Sequence, residues 1–415
     1  MGSVLGLLIV GTALLLARQS GTPALDSMWA EDGALFLESA VRGNIPASFM
    51  GPYAGYLHTL PRLLGALASM APITLASAIL SGGAALVVTL LCGYVFLAAR
   101  KMFRELWPAV LLAVLMLLLP TAGWETMNNA TNLQWYLLFP CYFALVTPTP
   151  TRLAVLAGGI VVLATTLSTP AAVAFVPIAV WKLLARDSDA PSRWVPALLL
   201  AGLAVQVPVA LFAETWPIEE TRPEALLGLY GLRVAGALVV GQRFLPGAWD
   251  GVRWVFAFGA LVAAGAVVAF GVRRSPARVQ VWAPLVLSVV LFAGPVLLRG
   301  TSLLDPDADT LMVAGSRWAA SPILLLATSL FLAIEALLAR ASRRRVAMSW
   351  IGISLLLGFT VLTSYEVRNL RSEAPRWQLS VRSAAAECDA GNAGYVRIPL
   401  SPPGWTTMLP CRSLE

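Results

Sequence analysis

Long apolar runs constrain this chain more than any other feature of its sequence. Several approach or exceed the ~20 residues that a helix needs to cross the hydrocarbon core of a membrane. They lie at 71–99, 254–272, 281–298, 321–338 and 346–363. Charged residues make up only 12% of the chain, about half of the ~25% usual in soluble domains. Because a lipid-exposed backbone must satisfy its hydrogen bonds internally, the runs predict an all-α, polytopic membrane protein.

The first apolar run, at 4–17, has the length of a signal peptide. It lacks a basic segment before the apolar stretch, and Gly21-Thr22-Pro23-Ala24 is a poor cleavage site. We therefore expect this run to be retained as the first helix.

Charge is distributed unevenly among the segments that connect the apolar runs. Five connections, around 100–104, 152, 182–193, 273–278 and 340–345, hold 14 basic residues. They include or adjoin only four acidic residues, namely Glu105, Asp187, Asp189 and Glu335. Basic connections favour the cytoplasmic side, so the other eighteen of the 22 acidic residues are expected outside. The same preference accounts for much of the net charge of +7. Since no basic stretch carries interleaved aromatic residues, no nucleic-acid partner is expected.

This alternation predicts about eleven membrane-spanning helices, with the N-terminus in the cytoplasm and the C-terminus outside. Their expected bounds are 4–18, 73–99, 107–121, 133–147, 153–169, 171–185, 194–213, 253–272, 280–298, 319–339 and 346–364. Two other apolar stretches, 53–70 and 226–247, are interrupted by Pro, Gly, Arg or His. A span at either would invert every later connection, so we expect both to be interfacial or re-entrant helices on the outer face.

The predicted organisation is a transmembrane domain over 1–364 and a short outer tail over 365–415. The outer segments of the first domain are 19–72, 122–132, 214–252 and 299–318. Long loops on one face commonly carry function. In the tail, Cys388 and Cys411 are candidates for a disulfide, because disulfides persist outside the cytoplasm.

Two adjacent carboxylates, Glu31 and Asp32, follow the first helix on the predicted outer face. One interpretation is helix capping, because acids in a first turn interact favourably with the helix dipole. The other is a general base or metal ligand, because one carboxylate can raise the pKa of its neighbour.

The only histidine, His58, lies four residues before Arg62 in a segment that also contains Tyr53 and Tyr56. Residues four apart share a helix face. An arginine fork and a histidine that can shuttle a proton would suit a phosphate or pyrophosphate. An interfacial belt with a snorkelling arginine explains the tyrosines and Arg62 equally well.

The outer turn at 123–135 is dense in amides and indoles. Glu125, Asn132 and Trp135 are candidates to hold a sugar or an acceptor through hydrogen bonds and ring stacking, and Tyr56 joins them. An interfacial tryptophan girdle with turn-forming asparagines is the alternative.

Arg317, at the end of the segment 299–318, could bind a lipid phosphate or act as a snorkelling anchor. Asp305, Asp307 and Asp309 resemble half of a calcium loop but lack the glycine and the distal glutamate of an EF-hand. The sequence carries no cofactor signature. A divalent cation bound through Asp32, Asp305 or Asp307 is the one cofactor that it leaves open.

The predicted spans contain almost no ionisable residue in their interiors. Ion-coupled transporters usually hold charged or polar groups near the membrane midplane. This absence argues against a pump or antiporter and favours chemistry at the outer face.

Together these motifs resemble the GT-C superfamily of integral-membrane glycosyltransferases, in particular uncharacterised bacterial members. The resemblance is carried by Trp29-Ala30-Glu31-Asp32-Gly33, Gly55-Tyr56-Leu57-His58 with Pro61-Arg62, Arg317-Trp318 and Pro399-Leu400-Ser401-Pro402-Pro403-Gly404-Trp405. The chain departs from many members in its short tail, and it has no WWD signature of oligosaccharyltransferases.

The resemblance implies an inverting transferase of the bacterial cytoplasmic membrane that takes a sugar from a polyprenyl-phosphate donor. The acceptor would be an extracytoplasmic glycan, lipid or protein. Asp32, or else Glu31, would act as the base, and His58, Arg62 and Arg317 would offset the charge of the leaving phosphate. A lipid-linked sugar flippase, a polysaccharide polymerase or ligase, and a non-catalytic assembly protein are the alternatives.

Overall fold

The computed structural model describes residues 2–43, 45–121, 125–148, 151–185, 190–213, 219–308, 312–365, 368–391 and 394–414. It is 74% helical, so the chain is nearly all-α, as predicted. Within these residues six helices are long and apolar enough to cross a membrane. They are Ile73–Ala99, Arg193–Phe212, Pro223–Arg274, Arg278–Arg299, Ser316–Leu338 and Arg343–Thr363.

Five shorter apolar helices overlap the remaining predicted spans. They are Leu5–Ala17, Leu106–Leu117, Leu133–Val146, Arg152–Thr166 and Pro170–Leu184. With 10–17 residues each, they are shorter than the ~20 residues of a complete crossing. The structure therefore supports a helical membrane protein, and the count of eleven spans stays a prediction.

The helices and strands have the following bounds. The first half contains α1 Gly2–Ala17, α2 Glu38–Arg42, α3 Ile45–Met50, α4 Thr59–Ser69, α5 Ala76–Ala99, α6 Leu106–Leu117, α7 Leu133–Val146, α8 Arg152–Thr166 and α9 Val176–Leu184. The second half contains α10 Ala190–Phe212, α11 Leu226–Tyr230, α12 Ala237–Arg274, α13 Arg278–Arg299, α14 Ala320–Leu338, α15 Arg343–Thr363, α16 Trp377–Asp389, β1 Tyr395–Pro399 and β2 Thr406–Pro410. Two π-helical segments, Asp32–Leu37 and Gly231–Gly236, run directly into α2 and α12.

The core of the bundle is built around α7 and α14. Every residue from Leu133 to Leu145 is buried, and so is every residue from Ala320 to Ser329. A helix that is hydrophobic all round lies inside a large protein or a membrane. The Ser321 hydroxyl donates to the carbonyl of Trp135 and joins the two helices near their N-terminal ends.

The peripheral helices α12, α13 and α15 expose large apolar side chains. Examples are Val255, Leu298 and Leu362, which are 77%, 68% and 77% exposed. Water would penalise such continuous apolar faces, whereas lipid tails would not. Their exposure is the structural reason for placing the chain in a membrane.

Hydrogen bonds between helix termini show which termini lie together at each end of the bundle. Arg18, just after α1, donates to Leu119 O at 3.0 Å and to Ser364 O at 3.3 Å, just after α6 and α15. At the other end, Glu335 of α14 accepts from the N–H groups of Arg104 and Glu105, just before α6. We call these the acidic end and the basic end, after the charges of their connecting segments.

The two interrupted apolar stretches differ from each other. The stretch 53–70 forms the 11-residue helix α4. The stretch 226–247 includes the start of α12. It belongs to a 52-residue helical run, Pro223–Arg274, that is broken at Gly241 (φ 71°) and Arg253 (φ 46°).

The stretch 226–247 enters the bundle instead of lying on its surface. The Tyr230 hydroxyl hydrogen-bonds Ser288 Oγ at 2.8 Å, at the middle of α13. A Cβ on Gly231 would lie 2.5 Å from Ala257 O, so the two backbones approach too closely for a side chain. Of the two predicted arrangements, this burial favours the re-entrant one.

The tail is a small folded unit that adds a short hairpin to a chain that is otherwise nearly all-α. Strands β1 and β2 pair antiparallel, with Tyr395 opposite Pro410 and Pro399 opposite Thr406. Cys388 of α16 and Cys411 after β2 form a disulfide with a Cα–Cα distance of 5.6 Å, the pairing predicted from the sequence.

The tail packs directly on the first outer segment. Ala30 N donates to Ser401 O at 2.7 Å, and Ser401 N donates to Met28 O at 3.1 Å. Further along, Met408 N donates to Glu38 Oε2 at 2.7 Å. The backbone on which Glu31 and Asp32 lie is therefore fixed by residues at least 370 positions later in the chain.

Arg371 joins three segments at the acidic end. It is 1% exposed, and its guanidinium donates to Ala24 O at 2.9 Å, to Ser27 O at 2.7 Å and to Asn128 O. It also donates to Ser81 Oγ of α5 at 2.8 Å. This one buried cation links the first outer segment, the turn after α6 and the tail.

We expect Arg371→Leu to destabilise the fold by roughly 3–5 kcal/mol, because several buried carbonyls would lose their only cationic donor. Thermal unfolding of the purified protein, followed by tryptophan fluorescence, measures this. The matched control is Arg382→Leu on the exposed face of α16. Equal melting temperatures for the two variants would contradict the role assigned to Arg371.

Candidate functional site

Asp32 is buried and fully hydrogen-bonded, which removes support from its assignment as the base. It is 1% exposed. Its Oδ2 accepts from Ala130 N at 2.8 Å, and its Oδ1 accepts from Thr131 N at 2.9 Å and from the Thr131 hydroxyl. Burial raises the pKa of Asp32, and the bonds from Thr131 oppose that rise. A carboxylate engaged in this way holds two loops together instead of meeting an acceptor.

Glu31 has the environment that the sequence assigned to Asp32. It precedes the π-helical segment and makes no side-chain capping bond there. Its Oε2 is buried and accepts no hydrogen bond from any described residue. Burial raises its pKa above the ordinary value of 4.5, and the charge of Asp32 raises it further, while the Arg317 guanidinium opposes the rise. A desolvated carboxyl group near a cation is a candidate general base.

A tight turn places two tyrosines beside Glu31. Tyr53 N donates to Tyr56 O at 2.9 Å and Tyr56 N donates to Tyr53 O at 3.1 Å. The two central residues, Ala54 (φ 51°) and Gly55 (φ 92°), both have positive φ. That conformation is unfavourable for alanine, and such strain often marks functional sites. The Tyr53 phenol contacts the Glu31 carboxyl, and burial raises the pKa of Tyr53, so the phenol stays neutral.

His58 is enclosed by aromatic rings and carries no charge. It is 1% exposed, and its ring stacks on Tyr56 at 4.3 Å between centroids, with Phe36 at 5.7 Å. Burial lowers the pKa of His58 to about 3. A neutral, enclosed imidazole does not offset the charge of a phosphate, so the structure gives His58 a positioning role under Tyr56.

Arg62 is also used within the fold. It is 7% exposed, it donates to the carbonyl of Gly51, and its guanidinium lies 5.6 Å from the Phe36 ring centroid. The predicted shared face of His58 and Arg62 therefore packs on the π-helical segment and does not form an open phosphate site.

Glu125 holds Arg317 at the start of the helix that continues into α14. Its Oε2 accepts from Arg317 N at 3.2 Å and from the Ser316 hydroxyl at 3.3 Å, and its Oε1 accepts from Arg317 Nη1 at 3.2 Å. The side chain of Glu125 is 14% exposed and that of Arg317 is 35% exposed. Glu125 thus caps this helix instead of binding a sugar, and about a third of the Arg317 side chain stays exposed.

The amide-rich turn is bonded mainly within itself. Asn132 Nδ2 donates to Glu125 O at 2.8 Å and to Asn129 Oδ1 at 3.0 Å. Asn132 and Trp135 are 3% and 7% exposed, so their predicted contact with a sugar is not supported. Trp124 lies outside the described residues.

Metal binding finds no support within the described ranges. They contain no group of three or more His, Cys, Asp or Glu side chains placed to hold a metal ion. Asp307 instead accepts from Trp249 Nε1 at 3.0 Å, Asp32 is bonded to Ala130 and Thr131, and Asp309 lies outside those ranges.

Sequence reasoning missed three residues that shape this region. Arg299 donates to Ala54 O at 3.1 Å and braces the strained turn. Gln134 Nε2 donates to the Tyr56 hydroxyl at 3.0 Å and fixes its orientation. Arg371, in the tail, anchors the residues before Glu31. In the sequence, Arg299 is marked only by its position at the end of the apolar run of α13. No local pattern marks Gln134 or Arg371.

The second π-helical segment carries another buried cation that the sequence analysis overlooked. Arg233 is 3% exposed and donates to the carbonyls of Leu304 (3.0 Å) and Met312. It holds the segment before Arg317 in place.

These contacts define the candidate site, which we call the Glu31 site. It consists of Glu31, Tyr53, Tyr56, Arg299 and Arg317, at the acidic end of the bundle. It combines one under-bonded carboxyl group, two neutral phenols and two cations. Compared with protein-family models, with curated proteins and with solved structures, the chain matches none.

We expect Glu31→Gln and Asp32→Asn to have opposite effects on stability. A folded-state pKa raised above the unfolded value means that ionised Glu31 costs stability as pH rises through that pKa. Glu31→Gln should therefore melt above the wild type at pH 7, and the difference should shrink as the pH falls to about 4. In Asp32→Asn, the side-chain NH₂ would replace one of the two acceptor oxygens and face one or two of the three donors, at a cost of roughly 1–3 kcal/mol.

Melting curves of both variants between about pH 4 and pH 8 test this pair. If Asp32→Asn melted with the wild type, or Glu31→Gln below it at neutral pH, the two environments would be misassigned.

Proposed function

We propose that this protein is a membrane glycosyltransferase that takes its sugar from a lipid-phosphate-linked donor, with Glu31 as the general base. The observation that carries the proposal is the buried oxygen of Glu31, which lacks a hydrogen-bond partner among the described residues. It lies within electrostatic range of the half-buried Arg317. A base and an anion-binding cation at one end of an apolar bundle suit an acceptor hydroxyl and a phosphate leaving group.

In the proposed reaction, Glu31 removes the proton of an acceptor hydroxyl as its oxygen attacks the anomeric carbon of the donor. The new C–O bond forms on one face of that carbon while the bond to the lipid phosphate breaks on the opposite face. The configuration is therefore inverted, the proton ends on Glu31, and the electron pair of the broken bond leaves with the phosphate.

The charge that develops on the phosphate needs fixed positive groups. Arg317 supplies a planar fork of donors, and Glu125 holds it so that little conformational freedom is lost on binding. Arg299 lies beside the same turn. These two arginines replace His58 and Arg62 in the phosphate-binding role.

The two tyrosines complete the proposed site. Tyr53 and Tyr56 are neutral phenols that donate or accept hydrogen bonds, and Gln134 fixes the Tyr56 hydroxyl. They suit the hydroxyl groups of a sugar next to the reacting carbon. This assigns to the turn 53–56 the sugar contacts that the sequence placed at Asn132 and Trp135.

The proposal includes the predicted topology. With eleven spans, a cytoplasmic N-terminus and an outer C-terminus, the acidic end faces away from the cytoplasm and the site opens at the outer leaflet of a bacterial cytoplasmic membrane. A polyprenyl-phosphate sugar would then reach it from the lipid, and the acceptor would be an extracytoplasmic glycan, lipid or protein.

We expect Glu31→Gln to lower transfer from polyprenyl-phosphate sugars by about 10²-fold or more, the usual contribution of a general base. Radiolabelled transfer against a panel of donors, with purified protein, measures this. Glu387→Gln, which neutralises an exposed carboxylate of the tail, is the matched control and should keep full activity. Wild-type rates in a well-folded Glu31→Gln variant would remove Glu31 from the mechanism.

The pH dependence should carry the signature of Glu31. Because a base acts only when deprotonated, the rate should fall as the pH drops through the raised pKa of Glu31, at a pH above 4.5. Removing the nearby cation in Arg317→Gln should raise that pKa further and move the acidic limb to higher pH. An acidic limb that stays in place in Arg317→Gln would show that Arg317 does not act on Glu31.

A lipid-linked sugar flippase is the second candidate, because the run Pro223–Arg274 is broken by two non-helical residues and a π-helical segment. Discontinuous helices are typical of substrate paths through membranes. Movement of a fluorescent lipid-linked sugar across proteoliposomes, with no glycosidic bond formed, would favour this function over transfer.

A further inference from the structure

A second cavity lies at the basic end of the bundle, on the opposite side from the Glu31 site. Its volume is about 500 Å³, and it lies between the start of α6, the end of α14 and the start of α15. The lining residues that matter chemically are Arg104, Glu105, Trp107, Glu335, Arg343 and Trp350.

The cavity presents charges of both signs. Arg104 and Arg343 line it and form no salt bridge within the described part of the chain. Glu335 accepts two backbone N–H bonds on Oε1, at 3.0 Å and 2.9 Å. Its Oε2 accepts no hydrogen bond from the described residues. A ligand that carries both a cation and an anion would match this arrangement better than an anion alone.

Trp350 forms part of the buried wall of the cavity. It is 1% exposed, it packs edge-on against Phe331 at 5.6 Å between ring centroids, and its indole N–H has no hydrogen-bond partner among the described residues. The indole nitrogen can only donate. Because this nitrogen has almost no surface open to the cavity, the polar contacts to a ligand fall to the charged side chains of the lining.

The surroundings of the cavity suit the head-group layer of a membrane. Trp107, in its lining, is 50% exposed, and Arg343, Arg344 and Arg345 are exposed at the start of α15. Tryptophan and arginine gather where apolar helices leave the hydrocarbon. A ligand in this cavity could therefore keep its acyl chains in the lipid.

We propose that this cavity binds the head group of a phospholipid that contains a phosphodiester and a primary ammonium group. The phosphate oxygens accept from Arg104 and Arg343, and the ammonium donates to Glu335. A quaternary ammonium has no N–H to donate, and the neutral glycerol head group of phosphatidylglycerol offers Glu335 no cation. The inference does not depend on the activity at the Glu31 site.

Native mass spectrometry of the full-length protein in detergent tests the proposal with synthetic lipids of identical acyl chains. Phosphatidylethanolamine should bind about tenfold more tightly than phosphatidylcholine or phosphatidylglycerol, the size of one charge-assisted hydrogen bond. Equal binding of the three lipids would overturn the proposal. Equally tight binding of soluble glycerophosphoethanolamine would overturn the assignment to a lipid.

Variants separate the individual contacts. Arg343→Gln should weaken phosphatidylethanolamine binding about tenfold, whereas Arg344→Gln, one residue away and outside the cavity lining, should not. Glu335→Gln should abolish the preference for phosphatidylethanolamine over phosphatidylglycerol. Equal affinities for Arg343→Gln and Arg344→Gln would contradict the site.

Discussion

The acidic end of this protein depends on the buried carboxylate of Asp32. It accepts three hydrogen bonds from Ala130 and Thr131 and thereby joins the first outer segment to the turn after α6. Arg371 lies within electrostatic range of Asp32 and binds carbonyls on both of those segments. Because charged groups are costly to bury alone, these contacts form together or not at all. Their cooperation fixes the backbone from which Glu31 projects.

Two adjacent carboxylates thus acquire different properties from their surroundings. Asp32 accepts three hydrogen bonds, whereas Glu31, one residue earlier, has a buried oxygen with no described donor. Glu31 is the N-cap of the π-helical segment and Asp32 is its first residue. When two neighbouring titratable groups have contrasting environments, one often serves the structure and the other the chemistry.

Much of the architecture followed from local pattern. Apolar run length predicted the helices, because a backbone in lipid must satisfy its own hydrogen bonds. The disulfide between Cys388 and Cys411 was predicted only from the expected location of the tail outside the cytoplasm. The strands at 395–399 and 406–410 were missed, because a short hairpin carries a weak periodic signal. The sequence did not decide whether 226–247 is interfacial or re-entrant. That choice depends on close tertiary approaches, such as that of Gly231 to Ala257.

The sequence by itself determined that this chain is a helical membrane protein, and it drew attention to the segment that contains Glu31 and Asp32. Only the tertiary structure decided which of the two carboxylates keeps a buried oxygen without a described donor, that His58 is enclosed and neutral, and that Arg299 belongs beside Ala54. The physical reason is separation along the chain. Asp32 meets Thr131, and Arg299 meets Ala54, across 99 and 245 residues. No local pattern encodes such partners, because burial and hydrogen bonding are properties of the packed bundle.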